Sequence, residues 1–375
     1  MDMENDKFIS SEELFNRFLK SCFFLHDDVI SELKDNRDNL VWDQYSTNPF
    51  FLGVDTCVVD TLAGFGDGYL EYLDKLVCLP NEIIIPSHKD PSLLENLLRD
   101  ETALSALGKI AQKKNLHISS FYSDKGKNFE ALVETLAKDC YHPRVIPSKH
   151  GFIKCNDKIY AREQMIKSGV PIPEGLVCYS QKELLEFWKY CKNNGYFALV
   201  KKLHWQTQYI KQDSDISKVK IDDFPVIIER GYDVKASPVS HFLVWENKFA
   251  LLFIAGQVVQ NWKHYGNALP HNINLENYKK IAEYTRAIAE QISENEGILG
   301  VDFLITKRDE LFAIDLNPRF NSSTYPLQFL KRMNVDLEKT YMRYYSLHCH
   351  VHNLSDIFQD EDFIKFDPIT KEGAI

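Results

Sequence analysis

The amino-acid sequence predicts a mixed α/β protein, with an N-terminal three-layer α/β domain followed by an α+β region in two parts. Three observations carry that expectation. The chain has 375 residues, more than a single average core accommodates, so two or three domains are expected. Its first part alternates helical and strand patterns, as βα units around a parallel sheet do. Towards its end, residues 300–320 read GVDFLITKRDELFAIDLNPRF, two alternating strands joined by a polar turn.

In chain order, Leu14, Phe15, Phe18 and Leu19 form an apolar stripe at helical spacing. Residues 54–59, 76–79 and 82–86 are strand candidates. Pro91 opens a long helix reaching about Ala111, a strand follows at 118–122, and a helix at 128–138. Residues 141–149, polar and proline-bearing, read as a linker that ends a first domain at about residue 145. A helix over about 159–167 is bounded by Gly169, suited to a left-handed cap, and by Pro171 and Pro173, which forbid continuation. Strands at 197–200 and 226–228 precede a long helix at 275–293. This divides the remainder into 150–225, 226–350 and an acidic tail, 351–375.

The hairpin carries the chemistry. Val301, Phe303 and Ile305 alternate with Asp302 and Leu304; Leu311, Ala313 and Asp315 alternate with Phe312, Ile314 and Leu316. Pairing the two strands brings Asp302 near Asp315, with Asn317 two residues on and on the same strand face. Two carboxylates and an amide oxygen make a hard-cation site, and Mg²⁺ in such sites is usually shared with substrate phosphates. Arg319 follows on the same side, a cation that can meet a developing anion.

An Asp with an acidic-x-Asn thirteen residues later resembles the magnesium-binding hairpin of ATP-grasp ligases. DLNPRF is similar to the E-x-N-x-R form of the carboxylase-type members, with Asp315 where that family usually has Glu. Upstream, NDKIYAREQMIKSGVPIPEG (156–175) resembles the family's phosphate-binding Lys, its helix and its Gly-Val-Pro-x-Pro exit. Lys201, delivered by the next strand, looks like the second nucleotide lysine. The resemblance implies a pre-ATP-grasp domain over 1–145, a small ATP-grasp subdomain over 150–225 and a C-terminal subdomain with the metal hairpin over 226–350. It implies ATP on Lys158 and Lys201, Mg²⁺ or Mn²⁺ on Asp302, Asp315 and Asn317, and catalytic roles for Arg319 and Lys201. VIIERGYD (226–233) is similar to the hinge strand that meets adenine, which makes Glu229 and Asp233 candidates for the ribose hydroxyls.

One departure stands out. Where the family carries a glycine-rich loop over the phosphates, this chain has LHWQTQYIK (203–211), without a glycine. Glycine permits close backbone approach to phosphate, so a different lid geometry is expected, with Gln206, Thr207, Gln208 and Lys211 as side-chain donors. AGQVVQNWKHYGNALP (255–270) resembles a segment of the ATP-grasp peptide ligases of natural-product pathways, the pheganomycin and butirosin type. It implies an acceptor or carboxylate pocket with Gln257, Lys263 and His264 as polar contacts.

Net charge is 44 − 54 = −10, which gives no basis for a nucleic-acid or anionic-membrane partner. No apolar run approaches the length of a membrane span. The start, MDMENDKF, is unlike a signal peptide, and eight cysteines without paired spacing fit reduced thiols in the cytoplasm. The HCHVH cluster (348–352) would align three histidines on one strand face but has no clear fourth ligand nearby. GFGDG (64–68) lacks the lysine of a phosphate loop and reads as a turn. Three functions compete: a ligase joining a small-molecule carboxylate and an amine through an acyl phosphate, the same activation with a carrier-protein thiol as acceptor, and a catalytically weak nucleotide-binding protein. A homodimer is compatible with each.

Overall fold

The structure, a computed structural model, describes residues 10–25, 49–59, 74, 79–88, 93–120, 127–137, 141–202, 207–260, 263–269, 273–292, 295–321, 323–335 and 342–343. GFGDG, HCHVH, residues 203–206, most of the 76–79 strand candidate and the acidic tail lie outside these residues; Leu79 itself is not in a strand.

The chain opens with α1 (Ser11–Lys20), capped by Ser10, whose hydroxyl accepts from the Glu13 amide. Its predicted stripe, Leu14, Phe15, Phe18 and Leu19, is buried. Next come β1 (Cys22–Leu25), α2 (Pro49–Leu52), β2 (Thr56–Val58), β3 (Glu82–Ile84), α3 (Leu93–Arg99), α4 (Glu101–Lys114), β4 (His117–Ser120), α5 (Lys127–Leu136) and β5 (Val145–Ile146). The strands form a parallel sheet in the order β3-β2-β1-β4-β5. Leu97, Leu107, Ala111, Phe129 and Leu132 from its helices pack against Phe23, Leu25 and Ile118.

Three features depart from expectation. The central strand β1 is a fully buried CFFL run, which has no alternation to reveal it. The single helix expected from Pro91 is two. Asp100 breaks it, because its carboxylate caps α4 by accepting from the Ala103 amide at 2.9 Å and is also held by the Ser87 amide and hydroxyl at 2.7 Å each. The expected linker contains β5, which closes the edge of the parallel sheet, and Ser148, which caps the next helix.

The second part begins with α6 (Lys149–Asn156) and α7 (Lys158–Lys167). Gly169 adopts φ +72°, as its capping role requires. β6 (Gly175–Cys178), α8 (Gln181–Asn193), β7 (Ala198–Lys201), β8 (Thr207–Ile210), α9 (Asp213–Ile216) and β9 (Val226–Arg230) build a small antiparallel sheet in the order β6-β9-β7-β8. Leu184, Trp188 and Cys191 of α8 cover it against Val200, Ile210, Val226 and Ile228.

The third unit is the large sheet. β10 (Val234–Ala236), β11 (Pro238–Trp245), β12 (Lys248–Gln260), β13 (Lys263–Leu269), α10 (Leu275–Gln291), β14 (Gly297–Thr306), β15 (Leu311–Asn317), α11 (Thr324–Arg332) and β16 (Met342–Arg343) complete the described chain. The sheet runs β10-β14-β11-β12-β13-β16, with β15 also paired to β14. α7 and α10 pack on it through Ala161, Met165, Ile281 and Ile288 against Phe242, Val301 and Phe303. α1 joins the parallel-sheet unit to the large sheet, because Phe18 lies edge-on to Trp245 at 5.2 Å and shares a core with Ile298 and Phe320. Among the described residues no helix is long and apolar enough to cross a membrane.

Candidate active site

The predicted hairpin forms, and its register is the one that matters: Asp302 faces Asp315, and Gly300 faces Asn317. Asp302 Oδ1 accepts from Gln257 Nε2 and Oδ2 from Asn317 Nδ2, both at 3.1 Å. Gln257 is itself fixed by the Ser237 hydroxyl, which donates to Oε1 at 2.7 Å. Burial, and then the charge of Asp315, push the Asp302 carboxyl up to about 6. Two facing carboxylates with one held back from ionising call for a cation between them, and their hard oxygens suit Mg²⁺. By that test the residues fit the metal that the sequence implies.

In the structure the cation against Asp315 is an ammonium. Asp157 caps α7 by accepting from the amides of Ile159 at 2.8 Å and Tyr160 at 2.9 Å, which puts Lys158 at the first helical position. Lys158 Nζ reaches the two Asp315 oxygens at 2.5 and 2.6 Å. One turn further on, Arg162 pairs with Glu229 of β9 at 2.5 Å, both side chains being almost fully buried. The second Glu229 oxygen lies 2.7 Å from Lys201 Nζ of β7. Lys201 in turn donates to the Ile314 carbonyl of β15 at 2.7 Å. Since Ile314 adjoins Asp315, the contacts close a ring: Lys158, Asp315, Ile314, Lys201, Glu229, Arg162 and back through α7. The ring ties the small sheet to the hairpin.

Arg319 lies beyond the hairpin end. Its Nη2 donates to Asn317 Oδ1 and its Nη1 to Asn321 Oδ1, both at 3.1 Å. The Asn321 amide donates to Thr324 Oγ1 at 3.0 Å. His241 of β11 then lies between Ser323 Oγ at 2.7 Å and Thr324 Oγ1 at 3.2 Å. Burial pushes this imidazole down to about 3, so it is neutral and hydrogen-bonded on both nitrogens.

The sequence-predicted residues thus divide. Lys158, Asp315, Lys201 and Glu229 fall in one set of contacts and Gln257, Asp302, Asn317 and Arg319 in another, the two adjoining where Asp302 faces Asp315. The Glu229 carboxylate, expected towards a ribose, is turned to Arg162 and Lys201 instead. Asp233 is exposed at the end of the hinge, its carbonyl accepting from the Lys307 amide at 2.9 Å. Lys211 is exposed with its ammonium 4.8 Å above the Tyr209 ring, and Gln208 donates to the Asp215 carbonyl of α9. Lys263 and His264 lie on β13 opposite Gln260 and Val259, and their side chains fall outside the described residues. Sequence reasoning missed Arg162 and Asn321. The signal for Arg162 was available: it is four residues after Lys158, hence on the same helix face.

Comparison with known proteins bears on the fold. Residues 208–323 match a family described as ATP-grasp domain. No curated protein sequence matches the chain. Among solved structures, N5-carboxyaminoimidazole ribonucleotide synthetase from Thermus thermophilus is similar at TM-score 0.57 and 14% identity, over 90% of this chain and 87% of that one. N5-carboxyaminoimidazole synthetase from Staphylococcus aureus gives 0.53 and 14%, over 86% and 80%. The biotin carboxylase domain of Hydrogenobacter thermophilus 2-oxoglutarate carboxylase, in complex with MgADP, ADP and bicarbonate, gives 0.53 and 13%, over 86% and 71%. At these identities the likeness is one of fold, and that fold is ATP-grasp.

Proposed function

We propose, from an ATP-grasp fold whose cations reach a carboxylate-bearing hairpin, that this chain is an ATP-dependent ligase. It would activate a carboxylate, of an amino acid or peptide, as an acyl phosphate and join it to an amine. One observation carries the reading: three cations from separate elements reach the hairpin, Lys158 on Asp315, Lys201 on the adjoining Ile314 carbonyl, and Arg319 on Asn317, which itself donates to Asp302. Phosphoryl transfer is driven mainly by positioning and by cations around the moving charge, and this is such an arrangement.

In this reading a substrate carboxylate oxygen attacks the γ-phosphorus, the bond to the bridging oxygen breaks, and ADP leaves with that electron pair. The amine nitrogen then adds to the acyl carbon, phosphate departs, and the nitrogen loses its proton, leaving an amide. Lys158 and Lys201 hold the nucleotide phosphates as point charges. Asp302, Asp315 and Asn317 would hold Mg²⁺ or Mn²⁺, which when bound offsets the phosphate charge. Arg319, whose guanidinium stays charged, attends the anion as it moves from phosphoryl to carbonyl oxygen. With Glu229 engaged by two cations, the ribose falls to Asp233, and Lys211 approaches the nucleotide from the small sheet. Gln257, Lys263 and His264 would be the acceptor-side residues by the resemblance of 255–270 to natural-product peptide ligases, which favours a peptide-forming reaction in the cytoplasm. A homodimer or a carrier-protein acceptor is compatible with it.

The test is ADP release in a screen of amino acids and peptides, each with an amine. Bicarbonate belongs in the screen because the Hydrogenobacter thermophilus domain is in complex with that anion. Product trapped on a carrier protein would redirect the acceptor from amine to thiol. A second reading, nucleotide binding without turnover, is favoured by the glycine-free segment 203–211. It wins if MgADP binds and no acid raises ADP release.

A further inference from the structure

We infer that Arg162 is a positioning residue for the nucleotide, acting through Glu229 to hold Lys201 in place. The inference rests on the reading above that Lys201 binds phosphate. Arg162 contacts the site only at second hand. Its Nη1 lies 2.5 Å from Glu229 Oε1, and its Nη2 donates to the carbonyls of Pro173 and Gly175 at 3.0 Å each. One guanidinium therefore joins α7, the chain leaving it, and the hinge strand β9. Gly175 permits this approach: a Cβ there would stand 2.2 Å from the Ile228 carbonyl oxygen, so β6 and β9 meet this closely only with glycine.

The electrostatics give the arrangement its purpose. Burial lowers the Arg162 pKa from its ordinary value and the Glu229 charge works against that, so each of the two buried ions depends on the other. Glu229 is shared between Arg162 on one oxygen and Lys201 on the other. Were Arg162 absent, the Glu229 charge would fall wholly on Lys201, and the ammonium would be both neutralised and drawn away from an incoming phosphate. With Arg162 present, Glu229 aims Lys201 while leaving a net positive charge in the triad. A bidentate fork can satisfy a carboxylate and two carbonyls at once, which an ammonium does less completely.

The experiment measures MgADP affinity by calorimetry, well below the melting temperature, in Arg162→Met, Lys201→Met and the double variant. Each single change is expected to weaken MgADP about tenfold or more, and the double variant to be no weaker than Lys201→Met alone, since coupled residues fail to add. Arg162→Lys, which keeps a cation at Glu229, should recover most of the affinity. A role confined to stability would instead lower the melting temperature and leave affinity unmoved, and that result overturns the inference, as does full additivity in the double variant. If Arg162→Met does not fold, Arg162→Gln replaces it with the same expectations. Unchanged affinity in Lys201→Met would overturn the underlying nucleotide assignment; weakened affinity there with none in Arg162→Met would overturn this inference alone.

Discussion

Arg319 holds its guanidinium between two side-chain amide oxygens, Asn317 and Asn321, at 3.1 Å each. Amide acceptors orient it, and its charge acts on the Asp302 carboxyl as well. Lysine keeps the charge and loses the fork, so Arg319→Lys should bind MgADP nearly normally yet lose on the order of 10²-fold in turnover. If it melts lower but turns over at the wild-type rate, Arg319 only braces the hairpin. Asp315→Ala and Asn317→Ala each remove an oxygen from the proposed cation site and should abolish turnover; activity near wild type in both at saturating Mg²⁺ would remove the metal assignment. His241 makes a pH prediction. Its ring is held neutral, with its pKa down to about 3 against 6.5 in an unfolded chain. The unfolded state therefore takes up a proton that the folded state refuses. The stability due to the neutral ring is fully present above pH 6.5 and is lost as pH falls towards 3, at up to about 1.4 kcal/mol per pH unit. Denaturant titrations from pH 7 to pH 4 should show a shallower decline for His241→Gln than for the wild type. Parallel curves would mean that the imidazole charges inside the fold.

The hairpin was legible at the level of elements because its strands alternate and its register follows from the pairing: Asp302 was expected opposite Asp315 and stands there. The helix after Asp157 was legible because Gly169 and the prolines fixed its end, and Lys158 was singled out by resemblance. Less visible was whatever depends on partners distant in sequence. Asp100 looks like any mid-helix acid until Ser87 arrives to share it. β1 is apolar on both faces and has no period to read. Glu229 looked available for ribose because neither Arg162, 67 residues away, nor Lys201 announces itself as its partner. Asn321 was hidden for the same reason, and it supports a prediction about β14. A Cβ at Gly300 would lie 1.9 Å from Asn321 Nδ2, so the amide rests directly on the bare backbone of that strand. Gly300→Ala should expel Asn321, lower the melting temperature by about a few degrees through overpacking, and cut turnover, as Asn321→Ala should too. Turnover unchanged in Gly300→Ala would separate Asn321 from the function of Arg319.

Across the whole molecule, the Lys158–Asp315 pair would join the two events of the proposed nucleotide binding. The ammonium, with its side chain only 12% exposed, sits on both oxygens of a carboxylate that the cation would need. On the proposed assignment, Mg²⁺ alone would have to displace Lys158 and leave it without phosphate, and nucleotide alone would take Lys158 and leave Asp315 facing Asp302 uncompensated. With both, the phosphates would hold Lys158 and Asp315 would hold the cation, at little net cost. The ring through Lys201 and the Ile314 carbonyl places the small sheet within reach of the same exchange. Mg²⁺ alone and ADP alone are therefore expected to shift the melting temperature little, while the two together shift it by more than the sum, since a ligand stabilises by its affinity for the folded state. Lys158→Met sharpens the prediction, because removing the resident ammonium should strengthen binding of Mg²⁺ alone while weakening MgADP. An Mg²⁺ response identical in variant and wild type would show that lysine and cation do not compete for Asp315.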